Sequence, residues 1–487
     1  MESSYITWTN IGTIAMTTLI PKFDLKNGGS TPTGAINRPI NQKLADIVSV
    51  KDFGAVGDGV TDDTAAITAA LATSNYISFP NGTYAVTSIT ITNGKTIYFN
   101  NSQILALSNS NNPVIITGSY NVIYNLNINC NFNASIYGFQ WISSSSYTCQ
   151  FNKVYGLNIS NAVYGIVYGA VPGGSAYNAP QSENTIYSYT TRAVQIPICC
   201  NQPNGALTLI SPILDCDSFE WSSQSGYNAT TYYTNAYCVI NLQTLLTVIG
   251  GELLKAGSNL GYGIWGGGTF LNNTIEIPGL QALITNDLTI SNNQNGYFNL
   301  NSGPAFKFDN SASGKNQGAT LTLDNFVLNR PNGYEPSAGD YLISGTPTLP
   351  SSVVLNNTVV NNWTGAQVLD VLSTNISIVV SNARFVNYTT SGSLYQNQLL
   401  PNTKSIQSTT ISSAISIGPL SEICTVSGTN AIQTITPPYF GFIGSITIIP
   451  TGVFTTITGG NIAIGSTAVV GKSLVMTYDG SLWHPSY

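Results

Sequence analysis

The sequence is poor in charge. Asp, Glu, Lys and Arg together make up 7% of its 487 residues, against about 25% in an ordinary soluble domain. Only 15 of them are basic. Proteins that bind nucleic acid need clustered Lys and Arg to neutralise phosphates, so we expect no nucleic-acid partner. Hydrophobic residues still reach 43%, which is enough to build a folded core.

Histidine is nearly absent, and CxxC pairs and long apolar runs are missing. His484 is the single histidine, which excludes a multi-histidine metal site and a Ser-His-Asp triad of the usual kind, and we predict no metal and no cofactor. The seven cysteines are irregularly spaced; we interpret them as small buried residues, with a disulfide at Cys199 or Cys200 left open. No apolar run is long enough to span a membrane. Glu2 and an apolar stretch interrupted by threonines argue against a signal peptide.

Because charged residues are few, the surface is expected to consist largely of asparagine, serine, threonine, glycine and tyrosine. Their amides and hydroxyls offer hydrogen bonds and tyrosine offers flat rings, which suit uncharged or weakly charged sugars. The same residues also fit the turns and faces of a stacked β-structure. Composition alone therefore supports a binding role and a structural role equally.

Residues 51–72 read KDFGAVGDGVTDDTAAITAALA. Gly54, Gly57 and Gly59 favour a tight, irregular loop, and the Thr-Asp-Asp that follows offers acceptors to the free amides of a helix that begins there. A phosphate loop is excluded because no Gly-Lys-Ser/Thr follows and Asp62 and Asp63 would repel a phosphate. We therefore predict a structural loop and a short helix.

The sequence DFGAVGDGVTDDTAAI followed by FPNGTYAV resembles the N-terminal segment of the pectate-lyase-like, right-handed β-helix superfamily, particularly phage tailspikes and capsule depolymerases. The resemblance covers about residues 46–90. It implies an all-β, right-handed parallel β-helix, with the helix after residue 63 capping its N-terminal end. It also implies a homotrimeric spike on a virion that recognises host surface polysaccharide.

Four regions follow from composition and pattern. Residues 1–45 are predicted to be an arm that attaches to other tail or capsid proteins, and residues 46–400 to be the β-helix body. Residues 401–422 form a Ser/Thr-rich linker, and residues 423–487 alternate as a β-sandwich-like module for trimerisation or glycan binding. Within the body, a Leu-Thr-aliphatic triplet recurs, for example at Leu207 and Leu246, with a period of roughly 30–40 residues. The threonines should point outward, with neighbours about 4.8 Å away on adjacent coils.

Clustered acids stand out in a chain with so few of them. Residues two apart on a strand share a face about 6.5–7 Å apart, a workable separation for inverting glycoside hydrolysis. Alignment of Leu207 with Leu246 places Glu252 on the neighbouring coil, two residues short of Asp215. We predict the catalytic carboxylates to be Asp215, Asp217, Glu220 and Glu252.

Nearby residues could bind the sugar. Tryptophan and tyrosine rings supply stacking platforms, and a further acid lies one coil earlier. The predicted substrate-binding residues are Glu183, Trp221, Tyr227, Tyr262 and Trp265. The alternative is a structural role, in which these acidic side chains only cap turns.

Three other functions remain open. A polysaccharide lyase would need a cation beside the enolate, and Arg192 and Lys255 are the candidates. A spike that only binds glycan would need no acid pair. A secreted cellular polysaccharidase would be expected to carry a signal peptide.

Overall fold

The computed structural model describes most of the body and nearly all of the C-terminal module. The described residues are 22–23, 38–44, 46–107, 111–143, 148–174, 180–216, 237–254, 262–276, 280–295, 305–308, 318–329, 341–345, 349–361, 367–369, 376–381, 383–386, 410–419, 423–437 and 443–487.

The body is a parallel solenoid. Its strands pair in parallel from coil to coil in one continuous sheet. Two short strands and a helix precede it: β1 Lys22–Phe23, β2 Arg38–Pro39 and α1 Ile40–Leu44. The first coils contain β3 Val48–Ser49, β4 Asp58–Asp62, α2 Thr64–Thr73, β5 Tyr76–Phe79, β6 Gly82–Val86, β7 Ile89–Ile91, β8 Thr96–Phe99, β9 Ser102–Ala106 and β10 Val114–Ile116.

The middle coils contain the longest strands, three of which run around the whole coil. These coils comprise β11 Val122–Trp141, β12 Lys153–Gly169, β13 Gln181–Asn201, β14 Gly205–Ile210, β15 Ile213–Asp215, β16 Tyr237–Asn241, β17 Leu245–Ile249, β18 Glu252–Leu254, β19 Tyr262–Leu271, β20 Thr274–Glu276, β21 Leu280–Ser291 and β22 Gln294–Asn295. The last coils comprise β23 Phe306–Phe308, β24 Thr320–Asp324, β25 Val327–Asn329, β26 Tyr341–Ser344, β27 Ser351–Asn356, β28 Thr358–Asn361, β29 Gln367–Leu369, β30 Ile376–Val380 and β31 Ala383–Val386.

Each coil has three faces, which we name A, B and C in the order the chain visits them. Face A contains β5, β8, β14, β17, β24, β27 and β30, whereas face B contains β6, β9, β15, β18, β20, β22, β25, β28 and β31. Face C contains β7, β10, β16, β23, β26 and β29. Strands β11, β12 and β13 cross all three faces, and β19 and β21 run from face C to face A.

The predicted threonine column lies on face A. The register joins five partly exposed threonines on successive coils, with buried aliphatic or aromatic residues after them: Thr208, Thr247, Thr269, Thr289 and Thr322. The predicted period of 30–40 residues is correct for some coils only. Thr208 and Thr247 are 39 residues apart, but Thr269 and Thr289 are 20 apart, because the loops between strands differ in length.

Asparagine makes the corners. A column of corner residues takes the left-handed conformation, which Asn tolerates better than most residues: Asn272 (φ 56°), Asn292 (φ 54°), Asn325 (φ 46°) and Asn357 (φ 45°). A second, buried column hydrogen-bonds coil to coil. There Asn152 Nδ2 donates to Asn184 Oδ1 (2.8 Å), and Asn152 Oδ1 accepts from the backbone N–H of Asn121 (2.9 Å).

The predicted capping helix is α2, whose Ile67, Ala70 and Leu71 are buried in the core of the first coil. Asp62, and not Asp63, accepts from the backbone N–H of Thr64 at its start. A 3-10 turn, Val50–Phe53, forms before the glycine loop.

The core of the body runs continuously through the stacked coils and consists mainly of Ile, Leu, Val and Phe. All seven cysteines are buried free thiols, so the disulfide left open at Cys199 or Cys200 is absent. Burial raises the pKa of the Cys130 thiol to about 12, which makes it unreactive at neutral pH.

The C-terminal module has a core of its own around Trp483, Leu474 and Met476. Its strands are β32 Thr410–Ser412, β33 Ser416–Ile417, β34 Ile423–Ser427, β35 Thr434–Ile435, β36 Gly444–Pro450, β37 Thr455–Thr456, β38 Ser466–Thr467, β39 Leu474–Tyr478 and β40 Trp483–Pro485. β32 and β33 lie within residues 401–422, which were predicted to be a linker, and they pair with β34 and β35 of the module. The order of the main sheet is β32-β34-β36-β39-β40, parallel as far as β36 and antiparallel beyond it. In the part of the chain described here, no helix has the length and apolar character needed to cross a membrane.

Candidate functional site

Two of the predicted carboxylates lie on neighbouring strands of face B. Ile213 of β15 pairs with Glu252 of β18, and Asp215 pairs with Leu254. The residues between them, Leu214 and Leu253, are fully buried. Because side chains alternate along a strand, Asp215 and Glu252 project from the outer surface of the same face.

Local contacts fix both strands. The Thr191 hydroxyl bonds to the backbone of Asp215, accepting from its N–H at 2.8 Å and donating to its carbonyl at 3.0 Å. The turn before β18 is Gly250-Gly251. A Cβ on Gly251 would lie 2.3 Å from the Pro212 carbonyl oxygen, so only glycine lets β18 approach β15 this closely.

The geometry suits two-carboxylate chemistry. Neighbouring strands about 4.8 Å apart and an offset of two residues place the two Cα atoms about 8 Å apart. Inverting glycosidases hold their carboxyl groups roughly 6.5–9.5 Å apart, with room for a water. Glu252 is exposed and Asp215 is half-buried, so their surroundings differ as an acid and a base require.

The register adds an acid that sequence reasoning missed. Glu276 pairs with Leu254, which itself pairs with Asp215. Asp215 and Glu276 are therefore two coils apart, about 10 Å at the backbone. The coil between Glu252 and Glu276 is short. A search at the expected period of 30–40 residues therefore does not align these two acids, although both are present in the sequence.

The other predicted site residues do not all lie beside Asp215 and Glu252 on face B. Asp217, Glu220, Trp221 and Tyr227, and also Lys255, lie outside the described residues. Arg192 is exposed on face B, where it pairs with Ser160. The pairing of Thr190 with Ile213 puts it one coil from Asp215.

Two predicted sugar platforms are on face C instead. Tyr262 pairs with Tyr237 there, and Trp265 is half-buried against the Tyr237 ring at 5.1 Å. The long strand β19 starts on face C before it reaches face A, which explains the displacement.

Glu183 is at a corner with φ 58°. It comes just before Asn184, which pairs with Leu207 on face A, so it does not join the acids of face B.

A groove lined by neutral amides and hydroxyls lies on face B, several coils before the acids. Its volume is about 350 Å³, and we call it the amide groove; it is lined by Thr83, Ser102, Gln103, Asn127, Asn158 and Ser160 among others. Asn158 Nδ2 donates to Asn127 Oδ1 at 2.7 Å, and Asn127 Nδ2 donates to the Ser102 carbonyl at 3.1 Å. Among the residues that the structure describes, no charged one lines it. Its amides lie on different coils, so sequence reading did not group them.

Face A has a larger groove of about 680 Å³ beside the threonine column. Thr247, Thr269 and Thr289 form one wall, and Asp287 is the single carboxylate among the described lining residues. One oxygen of Asp287 accepts the Thr320 backbone N–H at 2.8 Å. One carboxylate cannot perform acid–base hydrolysis by the two-carboxylate route.

Four tyrosines stack on face A: Tyr98, Tyr124, Tyr155 and Tyr187. Their rings are 4.6–5.2 Å apart and within 11° of parallel. Stacked rings cover each other's flat sides, so the surface presents ring edges and hydroxyls instead of stacking platforms. The repeated Ile-Tyr or Val-Tyr pair was the sequence signal for this column.

Among the described residues, no group of three or more His, Cys, Asp or Glu side chains is arranged to hold a metal ion. His484 instead contacts Asp479 at 3.0 Å on the surface of the C-terminal module.

Known proteins match parts of this chain in sequence. Residues 47–137, in the first coils, match the family model "Rhamnogalacturonase A/epimerase, pectate lyase-like". A stretch of 56 residues is 48% identical to the tail spike protein of an Escherichia phage. That stretch covers 12% of this chain and 7% of the length of the phage protein.

Solved structures are similar over more of the chain but at low identity. A variant of the tailspike of E. coli bacteriophage HK620 is 13% identical, with a TM-score of 0.49, covering 89% of this chain and 84% of that one. The A-module of the mannuronan C-5 epimerase AlgE4 of Azotobacter vinelandii is 14% identical, with a TM-score of 0.38, covering 68% and 99%. The coils stack as a parallel β-solenoid, and over the stretches matched in sequence the chain is similar to the pectate-lyase-like family and to a phage tail spike protein.

Proposed function

We propose that the protein is a viral tailspike that binds a host surface polysaccharide and hydrolyses it with the Asp215–Glu252 pair. The observation that carries the hydrolysis is the register of β15 and β18. It sets two outward carboxylates diagonally across adjacent strands, in a chain in which charged residues are scarce.

The geometry favours an inverting reaction. Glu252 is exposed, so it meets the water that attacks the sugar and takes its proton. We assign protonation of the leaving oxygen to Asp215, which is half-buried and whose backbone is fixed by Thr191. With their Cα atoms about 8 Å apart, the two side chains can hold their carboxyl groups at the wider separation that leaves room for a water. No covalent intermediate forms.

The role as a spike is supported by the 48% identity of 56 residues to a phage tail spike protein. We propose a homotrimer, located on the virion and joined to other tail or capsid proteins through residues 1–45. The partner on the host is its surface polysaccharide. The C-terminal module is proposed to serve trimerisation.

The test is release of reducing ends from host surface polysaccharide by the purified full-length chain. Asp215→Asn and Glu252→Gln should each lower kcat by about 10²–10⁴-fold, because general acid or base catalysis is lost. The matched control is Asp324→Asn, a half-buried carboxylate of face A that lines neither groove. If both site variants keep the wild-type rate while polysaccharide is cleaved, the pair is not catalytic.

The same assay separates the alternatives. A lyase would produce a new ultraviolet absorbance from the unsaturated sugar, and Arg192 beside Asp215 would then stabilise the enolate. Tight binding without reducing ends or that absorbance would leave a glycan adhesin.

A further inference from the structure

We propose that the amide groove binds uncharged sugar residues of the same polysaccharide that the Asp215–Glu252 pair cleaves, with the polysaccharide lying along the solenoid axis. This inference rests on the proposed function and adds a binding site and a substrate class to it.

The groove and the acids share one column of outward positions on face B. The column is given by successive strand pairings: Asn127 with Asn158, Asn158 with Thr190, Thr190 with Ile213, and Ile213 with Glu252. Asn158 and Glu252 are thus three strand spacings apart, about 14 Å. A short oligosaccharide lying along the axis can occupy the groove and reach the acids at once.

The lining chemistry favours neutral sugars. Amides and hydroxyls both donate and accept, as sugar hydroxyls require, and no cation among the described lining residues would compensate an anionic sugar for its lost hydration. Nearer the proposed cleavage point, the carboxylates of Asp215 and Glu252 outnumber the guanidinium of Arg192 at the neighbouring register positions. A polyanionic chain would be repelled there.

The groove residues are partly ordered before any ligand binds. Asn158 and Asn127 hold each other and the Ser102 carbonyl in a chain of hydrogen bonds. The side chain of Gln103 makes no hydrogen bond to another described residue, and it is only half-buried at the wall of the groove. Asn158 is exposed and uses its Nδ2 for Asn127, and its Oδ1 accepts no hydrogen bond from another described residue. A purely structural amide column would have no need of the open volume of about 350 Å³.

The experiment measures binding with the uncleaving Glu252→Gln full-length protein. The probe is an array that pairs neutral oligosaccharides with matched versions carrying uronic or sialic acid. We expect neutral members to bind, and Gln103→Ala/Asn158→Ala to weaken that binding roughly ten-fold, since two hydrogen bonds are lost. Asn356→Ala, a half-buried amide of face A, is the control and should bind normally. Affinity should change less than about two-fold with added salt, because no charges pair.

The outcomes separate this inference from the proposed function. Binding restricted to acidic members, binding of no member, or unchanged neutral binding by the double variant would each overturn the inference, whatever the cleavage assay shows. If the double variant loses binding to neutral members and the wild type releases no reducing ends, the amide groove is a sugar-binding site but the proposed hydrolysis is wrong.

Discussion

At the residue scale, the adjacent aspartates Asp62 and Asp63 do different work. Asp62 accepts from the Thr64 backbone and so caps α2, whereas the Asp63 carboxylate turns back and accepts from Val56 N (2.6 Å) and Gly57 N (3.0 Å). Asp63 is 2% exposed. The sequence predicts acceptors at this place, because both residues suit a helix start. The sequence does not reveal that the Asp63 side chain turns away from the helix and binds the glycine loop, because that contact depends on the folded path of the loop.

Asp63→Ala should open the first coil. Two backbone amides would lose their charged acceptor, which costs about 2–4 kcal/mol of local stability. We expect faster hydrogen exchange in peptides covering residues 54–73, measured by mass spectrometry. Asp58→Ala is the control, because the exposed Asp58 carboxylate accepts from Val60 and Thr61 at the surface. Equal exchange in the two variants would show that Asp63 does not hold the loop.

At the scale of the strand, alternation is what makes the register predictable. The Leu-Thr-aliphatic triplets at Leu207 and Leu246 do pair, and the offset of Glu252 from Asp215 follows from that pairing. The amide groove could not be predicted in this way. Asn and Gln occur throughout the chain, and only the three-dimensional path shows that Gln103 and Asn158 face the same opening.

The buried asparagine column gives an element-scale prediction. Asn152→Ala removes bonds to Asn121, Asn184 and the Gly118 carbonyl inside the coil stack. We expect the free energy of unfolding to fall by about 3 kcal/mol or more, because several buried polar groups lose their partners. Urea unfolding followed by circular dichroism measures it.

The comparison for that prediction is again Asn356→Ala, which removes an amide of the same size from a half-buried position. A similar, small shift of the urea midpoint in both variants would mean that the column does not hold the coils together.

At the scale of the whole molecule, the C-terminal module exposes many aliphatic side chains. Ile443 is 73% exposed and Ile464 is 65% exposed, and further aliphatic side chains of the module are exposed as well: Ile415, Ile423, Val453, Val469 and Val470. Exposed apolar patches of this kind mark interaction surfaces. Few charges stand among them, so a further copy of the same chain is the partner we expect.

Light scattering after size exclusion should therefore give about three times the chain mass of 51.6 kDa. Ile443→Asp/Ile464→Asp should shift the protein toward single chains, because the charges cannot be buried cheaply in an apolar contact. Val60→Asp places a charge on an equally exposed aliphatic of the N-terminal loop and should leave the mass unchanged. A wild-type mass of one chain would contradict the trimer.

The stacking of coils has a consequence for how such a molecule can change. Because each coil rests only on its two neighbours, a whole coil can be gained or lost between Asn158 and Glu252 while both ends keep their own contacts. Each such event would move the amide groove and the acids apart or together by one step of about 4.8 Å. If the proposed cleavage is correct, the number of coils between the amide groove and the acids would set the length of the sugar fragment that is released.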